Sequence, residues 1–317
     1  MAPQPSPGPS DGQRRVGTLG PVARSDLRHP ANVAGDWFVD TRCIDCGTCR
    51  DIAPGLFEDA GGCSVVSAQP TDDEDATPWL AAQACPTTSI GTLSRRARPG
   101  RLYPREVEGG SRVWDLGYCS EDSFGASAWF VTRPGGNVLV DSPRFTEALV
   151  RPIEALGGID RIVLTHRDDV ADGARWAERF GARTWIHADD RLAARWADEL
   201  LEGTDDVEIQ PGLVAVPTPG HTKGSVVYLL EDRYLFTGDS LAWSHEAGDL
   251  TAFRDACGWS WTAQADSLER LCGHRFSWVL PGHGARVSRP PEELHRRLTD
   301  LVGRMRAPLP RGAERQW

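Results

Sequence analysis

Four cysteines near the start of the chain have a spacing that suits an inorganic cluster. Cys43-Ile-Asp-Cys46-Gly-Thr-Cys49 repeats a two-residue gap, and further on Cys85 is followed by Pro86. A loop of that kind can wrap three thiolates around three corners of an iron–sulfur cube, with a remote Cys-Pro pair supplying the fourth. Gly47 lets the loop turn tightly, so that backbone amides can face a negatively charged cluster. Two alternatives stand beside this reading. Zinc usually takes two Cys-x-x-Cys pairs rather than three evenly spaced thiols, and the thiols could simply be buried. Cys63 reads as a packing residue, not a further ligand.

A second set of chemistry-bearing residues lies in four loops. They are Thr165-His166-Arg-Asp168-Asp169-Val-Ala-Asp172-Gly173, Thr218-Pro-Gly-His221, Thr237-Gly-Asp239-Ser240 and Pro281-Gly-His283-Gly284. Three imidazoles with several carboxylates suit borderline divalent ions such as zinc, iron or manganese. Water on such an ion becomes a nucleophile near neutral pH, and a nearby carboxylate can hold it and return a proton to the leaving group. A single histidine of this kind is more often structural; three in glycine-flanked loops are not.

Each of these loops follows a short β-rich run, so strand ends would hold the side chains. Strands are expected at Ala128–Thr132, Asn137–Val140, Arg161–Thr165, Leu213–Val216, Ser225–Leu230, Tyr234–Phe236 and Ser277–Leu280. Helical patterns cover 145–156, 172–181, 190–202, 262–272 and 290–306, and 226–236 reads as a hairpin. The alternation predicts a layered α/β fold. The chain divides into a disordered tail (1–35), a cysteine-bearing unit (36–92) with an acidic insert at 71–75, and a basic linker (93–108). A larger unit (109–306) and a C-terminal tail (307–317) complete it.

The quoted motifs resemble two families. Asp45-Cys-Gly-Thr-Cys49, then Ala53-Pro54, Phe57 and Cys85-Pro86, are similar to a single-cluster bacterial ferredoxin domain. That resemblance implies a [4Fe-4S] cluster on Cys43, Cys46, Cys49 and Cys85. The four loops resemble the metallo-β-lactamase superfamily across 109–306. This implies an α+β chain: an αββα sandwich, with a metal site between the sheets, behind a small N-terminal ferredoxin-like domain. On that resemblance His166 and His221 hold a first metal, Asp239 bridges, and His283 holds a second. The family's opening H-x-H-x-D-H motif is altered here: Asp168 stands where the second histidine belongs, and the Asp-His pair is displaced to Asp172-Gly173 with its histidine missing. Asp168 is favoured over Asp169 as a ligand. Asp172 is equally a ligand or a helix N-cap. If the displaced pair is the motif, Gly173→His should restore a ligand.

The resulting expectation is a metal-dependent hydrolase of metallo-β-lactamase type, with Asp168 and Asp239 catalytic. One or two divalent ions (Zn, Fe or Mn) would act on a small-molecule substrate, and the fused cluster would transfer electrons, with a redox partner protein, or sense. The alternatives are an iron-dependent oxidoreductase that reduces a small oxidant, and a degenerate non-catalytic binding protein. Lys plus Arg number 35 against 45 acidic residues, a net charge of −10, which argues against nucleic acid or anionic membrane. No run approaches the ~18 apolar residues of a membrane span. Eight unevenly spaced cysteines point to metal rather than a secreted disulfide framework. Arg14-Arg15 is not followed by an apolar export segment, so the cytoplasm is expected. His187 reads as structural, His245 and His274 as rim residues, His29 and His295 as solvated. Lys223 could orient an anion, and Trp259 with Trp261 could line a pocket.

Overall fold

A computed structural model describes residues 23–71, 76–96 and 99–308. The smaller lobe is built from two short antiparallel ribbons and two helices. Trp37–Val39 pairs with Ile90–Thr92, and Phe57–Asp59 with Ser64–Val66. Thr48–Ile52 and Thr77–Ala84 are the helices. Strands of three residues cannot stabilise a lobe alone. Here an apolar core containing Trp37, Val39, Phe57, Val66 and Trp79 closes over the cysteines, with Trp37 and Trp79 edge to face at 4.7 Å.

Residues 23–35 of the expected N-terminal tail are ordered. The backbone N–H of Arg24 donates to Asp40 at 2.7 Å. Buried Asn32 accepts from Val39 and Val66 and donates to Val39 O, so 23–35 belongs to the lobe. A side-chain amide that replaces missing ladder partners in this way gives no signal in composition. Residues 1–22, the acidic insert from 72 to 75 and the tail from 309 lie outside the described residues. The expected linker is also structured at its end. Tyr103 is buried, and Arg105–Glu106 adds an edge strand to the larger lobe by pairing with Val113–Asp115.

The larger lobe is an αββα sandwich. A seven-stranded mixed sheet runs Glu199–Leu201, Arg183–His187, Arg161–Val163, Val138–Val140, Trp129–Val131, Val113–Asp115 and Arg105–Glu106. A six-stranded sheet runs Val207–Gln210, Leu213–Pro217, Val226–Leu230, Tyr234–Gly238, Trp278–Pro281 and Val287–Ser288. Their facing sides meet in one core, where Val138, Val140 and Val163 pack with Tyr228, Phe236 and Leu280. Glu147–Ala155 and Gly173–Phe180 cover one outer face, Trp261–Leu271 and Pro291–Arg306 the other. Continuous apolar strands such as Val226–Leu230 follow from burial on both sides.

The hairpin at 226–236 forms, with Glu231 and Asp232 at positive φ in its turn. The helix expected over 190–202 does not. After a 3₁₀ turn at Ala188–Asp190 the chain makes turns, leaves Leu192 exposed, and adds Glu199–Leu201 in parallel beside Arg183–His187. The apolar residues there have helical spacing, but pairing along an open sheet edge outweighs it.

Candidate metal centre and cysteine site

The two sheets are tied together at the end where the candidate residues lie. Val226 N–H donates to Thr165 O at 2.8 Å, Trp129 Nε1 to Pro281 O at 3.2 Å, and Ser127 N–H to Gly282 O at 2.8 Å. His166, His221, Asp239 and His283 all stand just beyond strand ends, in loops fixed by these bonds. Glycine matters at two of them. Gly238 has φ +48°, and a Cβ there would lie 2.5 Å from Thr165 Oγ1. At Gly282 a Cβ would lie 2.7 Å from Asp169 Oδ2 and 2.9 Å from Asp239 Oδ1.

Two groups of ligand atoms converge. His166, His221 and Asp239 form one, and Asp169, Asp239 and His283 the other, with the atoms of each within 4.8 Å of one another. Asp239 belongs to both. The buried atoms His166 Nε2, His221 Nδ1 and Nε2, and both carboxylate oxygens of Asp169 have no hydrogen-bond partner. Buried polar atoms are almost always satisfied, and a divalent ion at each triad would satisfy these. The residues therefore fit the metal that their types suggest.

The shell behind His166 fixes its ring. Nδ1 lies 2.9 Å from Thr165 Oγ1, whose hydroxyl in turn meets the Asp141 carboxylate at 2.9 and 3.0 Å. The hydroxyl proton serves the carboxylate, so Nδ1–H donates to Thr165 and the Nε2 lone pair faces the centre. Burial pushes His166 down to about 4 and keeps that nitrogen unprotonated. Burial works the other way on Asp169, raising its carboxyl well above the usual range, and the charges of Asp239 and Asp141 add to the effect. Burial opposes the charge on both Asp239 and His283. Their mutual attraction overcomes it, holding Asp239 below the carboxylate range and raising His283 to about 10. His283 Nδ1 lies 2.8 Å from Asp239, a proton-filled contact that a cation can replace.

The remaining expected residues divide. Asp168 lies at the mouth of the site, 3.4 Å from His221 Nε2 and half exposed. Its carboxyl is held below the usual range first by the His221 ring beside it, an ion-pair contact and not a well-formed hydrogen bond. It is outside both triads, and Asp169 occupies the second. Residues 167–169 form a 3₁₀ turn with three residues per turn, which puts Asp169 on the face of His166 and turns Asp168 outward. That eclipsing is the signal in the sequence, masked by a match to the family's two-residue offset. Asp172 is not brought to the centre. Its Oδ2 accepts the Phe145 N–H at 2.7 Å, and it makes no side-chain cap bond although it precedes Gly173–Phe180. A Cβ on Gly173 would face the Trp196 ring at 3.1 Å, not the triads.

His187 bonds Gly203 O, and Lys223 pairs with Asp189 at 2.8 Å away from the centre. Trp261 bonds Met305 O, whereas Trp259 is exposed. His245 meets Asp51 O at 3.2 Å across the lobe boundary, and His274 pairs with Asp206. Above the triads lies an open cleft of about 440 Å³, lined by Ser123, Phe124, Arg167, Asp168, His221 and His283 among others.

In the smaller lobe Cys43, Cys46, Cys49 and Cys85 line one enclosed site, and Cys63 instead donates to Ser64 O. Burial raises the thiols of Cys46, Cys49 and Cys85, so thiolates there need a cationic partner. Amide hydrogens already aim at sulfur, from Asp45 and Ser64 to Cys43 at 3.4 Å each and from Ser89 to Cys85 at 3.3 Å. Amides bonded to sulfur are what an iron–sulfur cluster's anionic cage requires, and the donor set fits one.

Residues 39–92 match the 4Fe-4S single cluster domain of ferredoxin I, and residues 118–303 match the metallo-β-lactamase superfamily. A hydroxyacylglutathione hydrolase of Acidiphilium cryptum (strain JF-5) is 36% identical over 118 residues, covering 36% of this chain and 48% of that protein. An uncharacterized protein of Bacillus subtilis (strain 168) is 25% identical over 181 residues, covering 52% of this chain and 63% of its own length. The chain thus spans about half to two thirds of the curated relatives it matches. Among solved structures, ETHE1 from Myxococcus xanthus aligns with a TM-score of 0.45 at 23% identity, over 60% of this chain and 84% of that one. With its larger lobe matched across most of its length, the chain belongs to the metallo-β-lactamase superfamily and carries a single-cluster 4Fe-4S domain at its N-terminal side.

Proposed function

We propose that the larger lobe is a metal-dependent hydrolase whose centre is held by His166, His221, Asp239, Asp169 and His283. The observation that carries this reading is the set of buried, unpartnered nitrogen and oxygen atoms in two triads that share Asp239. Zinc, iron or manganese suits the donors, and when bound the ion supplies hydroxide near neutral pH. Asp168, exposed at the cleft mouth and held ionised beside His221, is positioned to accept a proton from water and return it to a leaving group. Arg167 at the rim offers a cation to an anionic small molecule. Thioesters are the preferred substrate class, supported by the relative named hydroxyacylglutathione hydrolase. Eight cysteines, none paired in a disulfide, suit a reducing compartment such as the cytoplasm. No helix among the described residues is long and apolar enough to cross a membrane.

The test is hydrolysis of thioester, lactone and phosphoester panels by the metal-loaded chain. Substitution of a triad member, His221→Ala or Asp239→Ala, lowers turnover by at least about a hundredfold. Absence of turnover on all three panels would sink the hydrolytic reading. A second reading, reduction of a small oxidant at an iron-loaded centre with a redox protein as electron donor, is favoured by one observation. The cysteine lobe abuts the same centre through Thr48 and Gly125.

A further inference from the structure

One irregular turn, Ser120–Gly125, touches both inorganic sites. Gly125 has φ +90°, and a Cβ there would lie 2.7 Å from both Cβ and Sγ of Cys46 and 3.1 Å from Thr48 Oγ1. Only glycine lets the backbone come this close to a cluster thiol. Thr48 Oγ1 donates to Gly125 O at 2.8 Å and lies 3.3 Å from Cys46 Sγ. One residue back, Phe124 O faces His283 Nε2 at 3.3 Å, and the other ring nitrogen of His283 meets Asp239 at 2.8 Å.

The turn is held stiffly for an irregular segment. Gly125 N–H donates to Ser120 O, Phe124 N–H to Glu121 O and Ala126 N–H to Ser123 O, at 2.8 to 3.0 Å. Phe124 itself has φ +51° and leaves its ring half exposed over the cleft, 6.2 Å from the His283 ring. A bulky residue held left-handed costs free energy and persists where its surroundings over-determine it. A joint between lobes needs none of this, since the shared apolar contacts of Leu80, Ala84, Tyr103 and Cys119 already serve.

We propose that Thr48, Gly125, Phe124 and His283 form an electron conduit between the thiolate-held cluster and a redox-active ion at Asp239. The inference rests on the metal-centre reading above and is independent of which substrate the centre takes. The path from Cys46 Sγ to His283 Nε2 crosses the Thr48 hydroxyl, the backbone of Gly125 and the Phe124 carbonyl, every gap between residues not joined by the backbone being a hydrogen-bond-length contact. Such contacts conduct electrons far better than open space. The step is a one-electron exchange in which the reduced cluster is oxidised and the ferric or manganic ion at the centre is reduced. No bond forms or breaks, and a low-potential one-electron donor, dithionite in vitro or a redox protein in the cell, reduces the cluster again.

The experiment uses the full-length chain with its cluster intact and the centre loaded with either iron or zinc, metals counted per chain. After anaerobic photoreduction with limiting reductant, cluster re-oxidation is followed by absorbance and by freeze-quenched electron paramagnetic resonance. The iron form should show a fast phase that the zinc form lacks. Thr48→Val, which keeps the branched shape and removes the hydroxyl, should slow that phase by about tenfold or more. Identical kinetics in the iron and zinc forms of the unaltered chain would overturn the conduit, as would an unchanged fast phase in the valine variant. Failure to load any metal beyond the cluster would instead overturn the centre itself, and the conduit with it.

Discussion

Asp169 is a buried carboxylate with neither oxygen satisfied, wedged against a glycine that cannot be enlarged. Such a group is a liability without a cation and an asset with one. Asp169→Asn should therefore stabilise the metal-free larger lobe by about 1–3 kcal/mol in thermal melts. The same change should weaken the second metal by about 10- to 100-fold in a metal titration. If both stability and affinity fall, the residue is part of an ordinary hydrogen-bonded core. Asp172, occupied with the Phe145 amide, predicts the opposite pattern for Asp172→Asn: metal stoichiometry unchanged, stability reduced. Gly173→His should add no ligand, because its side chain would meet Trp196; a gain in bound metal would show that the displaced Asp-Gly pair is the motif after all.

At the scale of elements, the strands that end in site loops were legible because burial on both faces forces continuous apolar runs, and because glycines mark the turns after them. That Cys43, Cys46 and Cys49 face one site could be read from their spacing, which limits how a loop can wrap; Cys85, which lines the same site, stood out only by the proline after it. Glu199–Leu201 was not, since three residues at a sheet edge carry too little pattern to compete with an accidental helical period. The order of 23–35 was hidden for another reason. It depends on single polar side chains, Asn32 and Asp40, rather than on periodicity. Asp40 is fully buried, accepting from Arg24 N–H and from the backbone and side chain of Arg42. Burial would raise its carboxyl, but these bonds prevail and hold it low. Its contribution is thus complete above the unfolded value near ~3.9 and is lost as pH falls through the lower folded value. Asp40→Asn should cost the smaller lobe about 1–3 kcal/mol at neutral pH and flatten its acid transition. An unaltered acid transition in chemical unfolding would contradict that account.

Over the whole molecule, the two lobes share more than a boundary. Leu80 and Ala84 of the smaller lobe sit in the same apolar core as Tyr103, Leu116 and Cys119, and Tyr103 Oη donates to Leu80 O. Between the lobes lies a cavity of about 410 Å³ lined by Asp51, Arg105, Asp115, His245, His283 and Arg286 among others. Contacts such as Thr48 with Gly125, 77 residues apart, have no local trace in sequence, which is why the lobes read as separate units joined by a linker. A shared core predicts one cooperative thermal transition. Cys85→Ser, which removes one of the four thiols proposed to hold the cluster, should accordingly lower the melting temperature of the larger lobe as well. Two separable transitions, the second unmoved by the substitution, would refute the shared core.

The central claim is that imidazoles and carboxylates from four loops hold a metal distinct from the thiolate-held cluster. It is tested most directly by counting iron, zinc, manganese and acid-labile sulfide per chain after anaerobic purification, in the unaltered protein and in the His221→Ala, Asp239→Ala double variant. The account predicts a [4Fe-4S] complement in both proteins, with one or two additional metal ions in the unaltered chain that the double variant loses. An unaltered chain with no metal beyond its cluster, or a double variant that retains the additional ions, would contradict it.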